Sequence, residues 1–273
     1  MSKRKEWTLN IIGIVIVLLF LFPVFWMIIT AFKSQAEIFQ SPPTFWPQEF
    51  QFDSFKEIFR DNVGQYFVNS FIISALATLL VLLLSVPSAY GLARFKNVKG
   101  KRAILLLFLT TQMLPATVVL TPLFIVFNKL SLLNTYIGPI LACATLGIPF
   151  SILLLRTFFI GLPEELEEAA AIDGCSKFGA FMRIIVPISI PSILVCGAIS
   201  FFFSWGDLIF SMTFNRDQSL WPLTAGIYNS IGRYGIEWNS LMAFATVSIL
   251  PVIVIFILLQ KHIVEGLVSG SVK

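Results

Sequence analysis

Two groups of residues in this 273-residue chain have the types and spacing that recognition or chemistry would use. The first is an acidic stretch between Gly161 and Gly174 that carries Glu164, Glu165, Glu167, Glu168 and Asp173, five of the fifteen acids. The second is a set of polar or aromatic side chains inside otherwise apolar runs: Thr110, Thr111 and Gln112 just ahead of Pro115, and Trp205 and Asp207 farther on. Neither group is a catalytic constellation. There is no G-x-S-x-G and no H-E-x-x-H, and His262 is the single histidine, which excludes a multi-histidine metal site. There is no phosphate-binding P-loop either, because Phe95 stands where Gly100-Lys101 would need its first glycine. The chain is read as a non-enzyme with no cofactor or metal of its own. Cys143, Cys175 and Cys196 lie among apolar or small residues and read as unpaired small hydrophobes.

The acidic stretch predicts two short helices around a corner. Pro163 suits a first helical position, and Glu164 and Glu165 complement the positive end of the helix dipole. Leu166, Ala169 and Ala170 make a narrow stripe at helical spacing, where two adjacent alanines let another surface approach. Gly174 after Asp173 is placed to end the helix in the left-handed conformation, and Ser176 can cap the next one. Phe178, Phe181, Met182 and Ile185 then recur as one apolar face, with Pro187 at the entry to the following apolar run. Such an elbow either lies on the bilayer or projects as a docking plug for a protein. The glutamates count against the first, since inner-leaflet lipids are anionic and favour basic surface helices.

The elements that must position these groups are membrane spans. The composition is 57% hydrophobic and 12% charged, with a mean hydropathy of +0.87, where soluble domains carry about 25% charge. Six segments reach the roughly 20 apolar residues that a bilayer needs: 8–31, 67–92, 103–127, 135–158, 187–212 and 240–261. Continuous apolar runs without period-two alternation select helices over a barrel. The first span follows Lys3, Arg4 and Lys5, but its run is too long for a signal-peptide core, so it reads as a retained anchor. One face collects thirteen Lys and Arg, including Arg94, Lys96, Lys99, Lys101 and Arg102 between spans two and three. The other face collects six. That asymmetry puts both termini in the cytoplasm. Basic residues hugging helix ends also serve orientation rather than nucleic-acid binding. The outer loop 32–66 contains a short surface helix over Asp53–Asp61. The loop 213–239, with Trp221, Tyr228, Tyr234 and Trp238, reads first as interfacial anchoring and second as contact with a partner or ligand. The loop between spans three and four is about eight residues, so those helices are neighbours.

Ionisable groups near mid-membrane, which a proton- or ion-coupled carrier uses, are almost missing; Asp207 and Arg156 fall near span ends. If the chain moves a solute uphill, the energy must therefore arrive from outside it. Gln112, Thr111, Trp205 and Asp207 are among the polar and aromatic groups inside the spans, the candidates for a translocation path if the resemblance described below holds. Interhelical hydrogen bonding for the amide and ring packing for Trp205 and Tyr90 are the competing roles.

Glu168-Ala169-Ala170, Gly174, Ile184 and Pro187 fit the pattern EAA-x3-G-x9-I-x-L-P, with Val186 where Leu is usual. This resembles the EAA loop of the membrane subunits of bacterial ABC importers. Phe67 to Ser70, Pro87 to Arg94, Trp205-Gly206-Asp207 (with Gly206 for the usual Asn) and the ending Gln260 to Lys273 are similar to the MalG-type carbohydrate permeases. The resemblance implies an all-α polytopic protein of the type I ABC importer fold: one permease domain over 1–273 with a core over about 66–262, an anchor helix over 8–31 and an EAA coupling loop over 161–187. It implies a bacterial inner-membrane location and a heterodimer with a second permease. Two cytoplasmic ATPase subunits would hold ATP and Mg, and an extracellular binding protein would deliver sugar. Glu164, Glu165, Glu168, Ala169, Ala170, Asp173, Gly174 and Phe178 would contact the ATPase. An ABC permease for another solute, and a self-powered carrier, are the alternatives.

Overall fold

The computed structural model describes residues 3–60, 62–95, 98–229, 231–232 and 235–269. In chain order, α1 is Lys3–Ala31, α2 Gln35–Ile38, α3 Asp53–Arg60, α4 Val63–Arg94, α5 Lys101–Gln112, α6 Ala116–Lys129 and α7 Ile137–Gly161. Then follow α8 Glu165–Ile172, α9 Lys177–Ala180, a π turn over Phe181–Ile185, α10 Val186–Ile188, α11 Ile190–Trp205, α12 Ile209–Phe214, α13 Leu223–Asn229 and α14 Trp238–Ser269. Among the described residues, the strands are a two-residue pair, Ile231–Gly232 against Gly235–Ile236. The all-α class read from the apolar runs holds, because a chain in lipid satisfies its backbone within each segment.

Four helices cross a bilayer by length and apolarity as single segments: Lys5–Ala31, α4, α7 and Trp238–Lys261. Two further spans exist only as broken pairs. α5 and α6 meet at 104° across Met113–Pro115, and the Lys177–Ile188 stretch meets α11 at 73° across Ser189. Counting each pair as one span gives the expected six. The break in the third span falls where Pro115 lacks an N–H and pushes Leu114 out of the helical region. The fifth span departs from expectation. Its run over 187–212 is not one helix, and Pro187 sits inside α10, so the break comes two residues later, ahead of Pro191 at the second position of α11. α11 then stops at Trp205, with Gly206 as its C-cap, and α12 begins afresh.

The chain divides into two compact units, Met1–Phe67 with Leu223–Leu250, and Val68–Pro222 with Pro251–Lys273. In the first unit α1 is exposed along nearly its whole length and becomes buried only at Ile29, Thr30 and Ala31. Beyond it, Lys33 lies 4.7 Å over the Trp26 ring and donates to the Thr44 carbonyl. The buried Glu37 carboxylate accepts from the Thr44 hydroxyl at 2.6 Å and the Gln48 amide at 3.0 Å. The surface helix expected over 53–61 is α3, anchored by Ile58. Gln35 holds the start of α14 with its side-chain oxygen on the Trp238 N–H and its amide on the Ile236 carbonyl.

The second unit has two cores. One gathers Ile73, Ala77, Phe127, Cys143, Phe210 and Phe214. The other gathers Tyr90, Ile152, Leu155, Phe159, Phe181 and Ile185. Glycine lets the helices approach closely: a Cβ on Gly147 would stand 3.0 Å from Val81, and one on Gly197 3.2 Å from Leu82. The fully buried Asn69 ties α4 to two loops. Its amide donates to the Ser219 and Trp221 carbonyls, both at 2.8 Å, and its oxygen accepts from the Tyr136 hydroxyl at 2.7 Å. The short connection from α6 to α7 is fixed by Asn134, which donates its N–H to Phe214 and accepts from Arg216. The Trp221 indole donates to the Asn215 carbonyl at 2.8 Å, so this aromatic has a structural role. Tyr228 is exposed, and Tyr234 lies outside the described residues. The Ser219 N–H holds the exposed Asp217 carboxyl below its ordinary range. Cys143 and Cys196 are buried and Cys175 half-buried, all three as free thiols.

Candidate functional site

The elbow forms as two helical pieces around a glycine. The Glu164 carbonyl accepts from the Glu167 and Glu168 N–H groups at 3.0 and 3.2 Å, so Pro163 stands just before the first turn rather than inside it. At the far end the Cys175 N–H reaches back to the Ala170 carbonyl at 2.8 Å and the Gly174 N–H to Ala171 at 3.1 Å, while Gly174 takes φ +79°. This is the left-handed closure expected of a glycine after a helix. The Ser176 hydroxyl accepts from the Gly179 N–H at 3.1 Å and caps α9.

Two details correct the expected faces. Ala170 is 3% exposed and turned into the chain, whereas Ala169 faces out, so the alanine pair does not form one open stripe. Phe181 and Ile185 are buried while Phe178 and Met182 are exposed, because the π turn over 181–185 winds more residues per turn and rotates the face that an uninterrupted α-helix would keep together. The outward surface comprises Glu164, Glu165, Glu168, Ala169, Asp173 and Gly174, flanked by the exposed apolar Ile172 and Phe178.

Glu167 differs from the other acids. Its carboxylate pairs with Arg94 at 2.8 Å, and the Arg94 guanidinium also donates to the Leu162 carbonyl at 2.8 Å. Tyr90 packs beside this pair on Phe181, ring centroids 4.6 Å apart. A cavity of about 270 Å³ opens there between Tyr90, Arg94, Phe95, Glu167, Cys175 and Lys177. Spacing along the sequence does not reveal this grouping, because Arg94 and Glu167 are 73 residues apart, and Arg94 reads there as one more orienting charge.

The polar set divides as well. Thr111 and Gln112 line a cavity of about 290 Å³ together with Gly147, Phe150, Ser200 and Phe203, and the Gln112 amide donates to the Leu146 carbonyl at 3.2 Å. Trp205 and Asp207 lie elsewhere. Trp205 is buried and stacked on Phe201 at 5.6 Å. Asp207 accepts from the Phe210 and Ser211 N–H groups at 3.1 and 2.9 Å and from the Ser211 hydroxyl at 2.7 Å, which opens α12. Arg156 donates to the Leu92 carbonyl near the end of α4. Among the described residues, no three His, Cys, Asp or Glu stand together as metal ligands.

Comparison with known proteins accounts for this architecture. Residues 82–268 match the family model described as binding-protein-dependent transport system inner membrane component. The chain is 37% identical to the protein named Probable ABC transporter permease protein YurM of Bacillus subtilis strain 168, over all of this chain and 92% of that one. It is 34% identical to the sulfoquinovosyl glycerol transport system permease SmoH of Agrobacterium fabrum, over 93% and 89% of the two chains. It is 32% identical to the arabinooligosaccharides transport system permease AraQ of Halalkalibacterium halodurans, over 99% of each. Among solved structures it is similar to a chain of a bacterial ABC transporter involved in alginate import, with a TM-score of 0.78, 20% identity and coverage of 96% and 99%. These relatives are named as transport permeases, not enzymes. The chain belongs to the family of binding-protein-dependent transport system inner membrane components.

Proposed function

We propose that the chain forms half of the translocation pathway of an ATP-driven importer for a sugar or oligosaccharide, with the 161–187 elbow as its joint to a cytoplasmic ATPase. The observation that carries the substrate class is that full-length relatives at 32–34% identity are named for carbohydrate cargo, arabinooligosaccharides and sulfoquinovosyl glycerol. The absence of a P-loop in the sequence fits a subunit whose ATP and Mg sit in partner chains. The partners in this reading are a second permease, two ATPase subunits and an extracellular sugar-binding protein, and both termini are cytoplasmic. The protein sits in a bacterial inner membrane as one permease domain.

Closure of the ATPase pair moves the elbow, and the membrane helices exchange inward-open for outward-open arrangements. Such a two-state element transmits only as well as its corner is stiff. In this reading Glu164, Glu165, Glu168, Ala169, Asp173, Gly174 and Phe178 face the ATPase, Ala170 supports them from within, and Thr111 and Gln112 offer polar groups to the cargo. Trp205 and Asp207 serve the path by shaping it.

The test is purification of the tagged chain from its native membrane in mild detergent, identification of the co-purifying chains, and a sugar panel against the recovered binding protein. The expected result is an ATPase, a second permease and a binding protein stabilised by one sugar class. A complex without an ATPase, or a binding protein that responds to amino acids or phosphate and to no sugar, overturns the reading.

A further inference from the structure

The acidic elbow helix α8 is joined to α7 through only Leu162, Pro163 and Glu164. That link alone ties α8 to α7 and leaves α4 unconnected to it. Arg94, the last residue of α4, makes the connection. Its Nε donates to Glu167 Oε1 on the first turn of α8, and its Nη2 donates to the Leu162 carbonyl just past the end of α7, each at 2.8 Å. One planar guanidinium thus ties α4 to the first turn of α8 and to the C-cap of α7. Lysine, a point charge on a flexible stem, lacks the fork that reaches two acceptors on different elements. The pair is also shielded, with side-chain exposures of 8% for Arg94 and 22% for Glu167, so salt screens it little. The surroundings reinforce it. Tyr90 packs on Phe181 with tilted rings, and Lys177, which also lines the cavity, is engaged over the Phe95 ring at 5.8 Å.

We propose that Arg94 and Glu167 are positioning residues that clamp α8 to the ends of α4 and α7, so that force on the elbow reaches two membrane helices together rather than one through a loose link. This rests on the reading of α8 as the joint to an ATPase. It separates two roles within one acidic segment: Glu165 is exposed and Glu164 and Glu168 are exposed at the edge of the cavity, whereas Glu167 is ion-paired with the chain's own arginine.

The test uses the whole transporter reconstituted in vesicles, with uptake per ATP hydrolysed as the readout and ATPase co-purification as the control. Arg94→Glu and Glu167→Arg each bring like charges together. Each is expected to lower uptake per ATP by about fivefold or more while the ATPase stays bound, and the double reversal is expected to recover most of the loss. A residue that merely fills space is not rescued by the reciprocal change. Should a reversal fail to insert, Arg94→Lys and Glu167→Gln replace it with the same direction expected. Uptake per ATP within about twofold of wild type in the single variants, or a double variant no better than either single, overturns the clamp.

Failure of the underlying reading shows itself separately, as a wild-type chain that carries no ATPase. In that case spin labels at Ser88→Cys and Ile172→Cys, with the native cysteines replaced by alanine, still decide the clamp. A distance distribution that broadens in Glu167→Gln supports it, and one that is unchanged overturns it.

Discussion

Gly174 is the residue on which the elbow turns. A Cβ there would meet nothing within 4 Å, so space is not what selects glycine; the φ of +79° is. Asparagine visits that region at low cost, while a β-branched side chain does so only under strain, about 1–2 kcal/mol or more. Gly174→Asn is therefore expected to retain sugar uptake near wild type and Gly174→Val to lose most of it, both with normal insertion, since no span is touched. Equal uptake by the two variants in whole cells means that the dihedral does not govern the corner. The two alanines next to it separate by the same kind of reasoning. Ala169 faces outward and Ala170 is buried. Ala169→Glu places charge on the outer surface and is expected to weaken ATPase pull-down while the melting temperature holds. Ala170→Glu buries a carboxylate without a partner, costing about 3 kcal/mol or more, and is expected to lower the melting temperature in detergent as well. A result in which both variants behave alike removes the distinction between the two faces.

At the scale of elements, the legible features are those set by neighbours in the sequence. The corner at Gly174 and the Ser176 cap follow from local chemistry and stand where the sequence puts them, as do the apolar runs apart from 187–212, which breaks into separate helices. The features that were not legible depend on chain segments far apart. The π turn over Phe181–Ile185 has no residue signature of its own, and it divides the face of Phe178, Phe181, Met182 and Ile185. The pairing of Arg94 with Glu167 joins two helices that no periodicity relates. Asp207, which reads in the sequence as a charge near a span end and a candidate for the path, is in the structure the acceptor that starts α12 once Gly206 has ended α11. Thr111 and Gln112, just ahead of the break between α5 and α6, line the 290 Å³ cavity together with Ser200 and Phe203. Gln112→Leu removes the amide and its bond to the Leu146 carbonyl, a net loss of about 1 kcal/mol in stability. The expected outcome is a large change in sugar KM or uptake rate with assembly intact. Unchanged uptake kinetics leave Gln112 with packing alone.

At the scale of the whole molecule, the charges of the sequence predict how the chain sits in the bilayer. Thirteen Lys and Arg fall on the face that carries the 93–102 and 161–187 segments, and six fall on the other. The rule that reads this asymmetry rests on short loops near span ends, and the 93–102 loop meets it well, with Arg94, Lys96, Lys99, Lys101 and Arg102 and no acid. The acidic elbow does not argue against it, because Asp and Glu contribute little to orientation. A joint to an ATPase must face the compartment that holds ATP, so function and charge demand the same side. Substitution to cysteine tests both together. In a background without Cys143, Cys175 and Cys196, an impermeant thiol reagent applied to intact cells is expected to label Gln51→Cys in the outer loop 32–66. It is expected to spare Lys99→Cys until the membrane is opened. Labelling of Lys99→Cys with protection of Gln51→Cys inverts the topology. It would carry the elbow outside and with it remove the ATPase joint, since a helix displayed to the exterior cannot be driven by ATP binding within the cell.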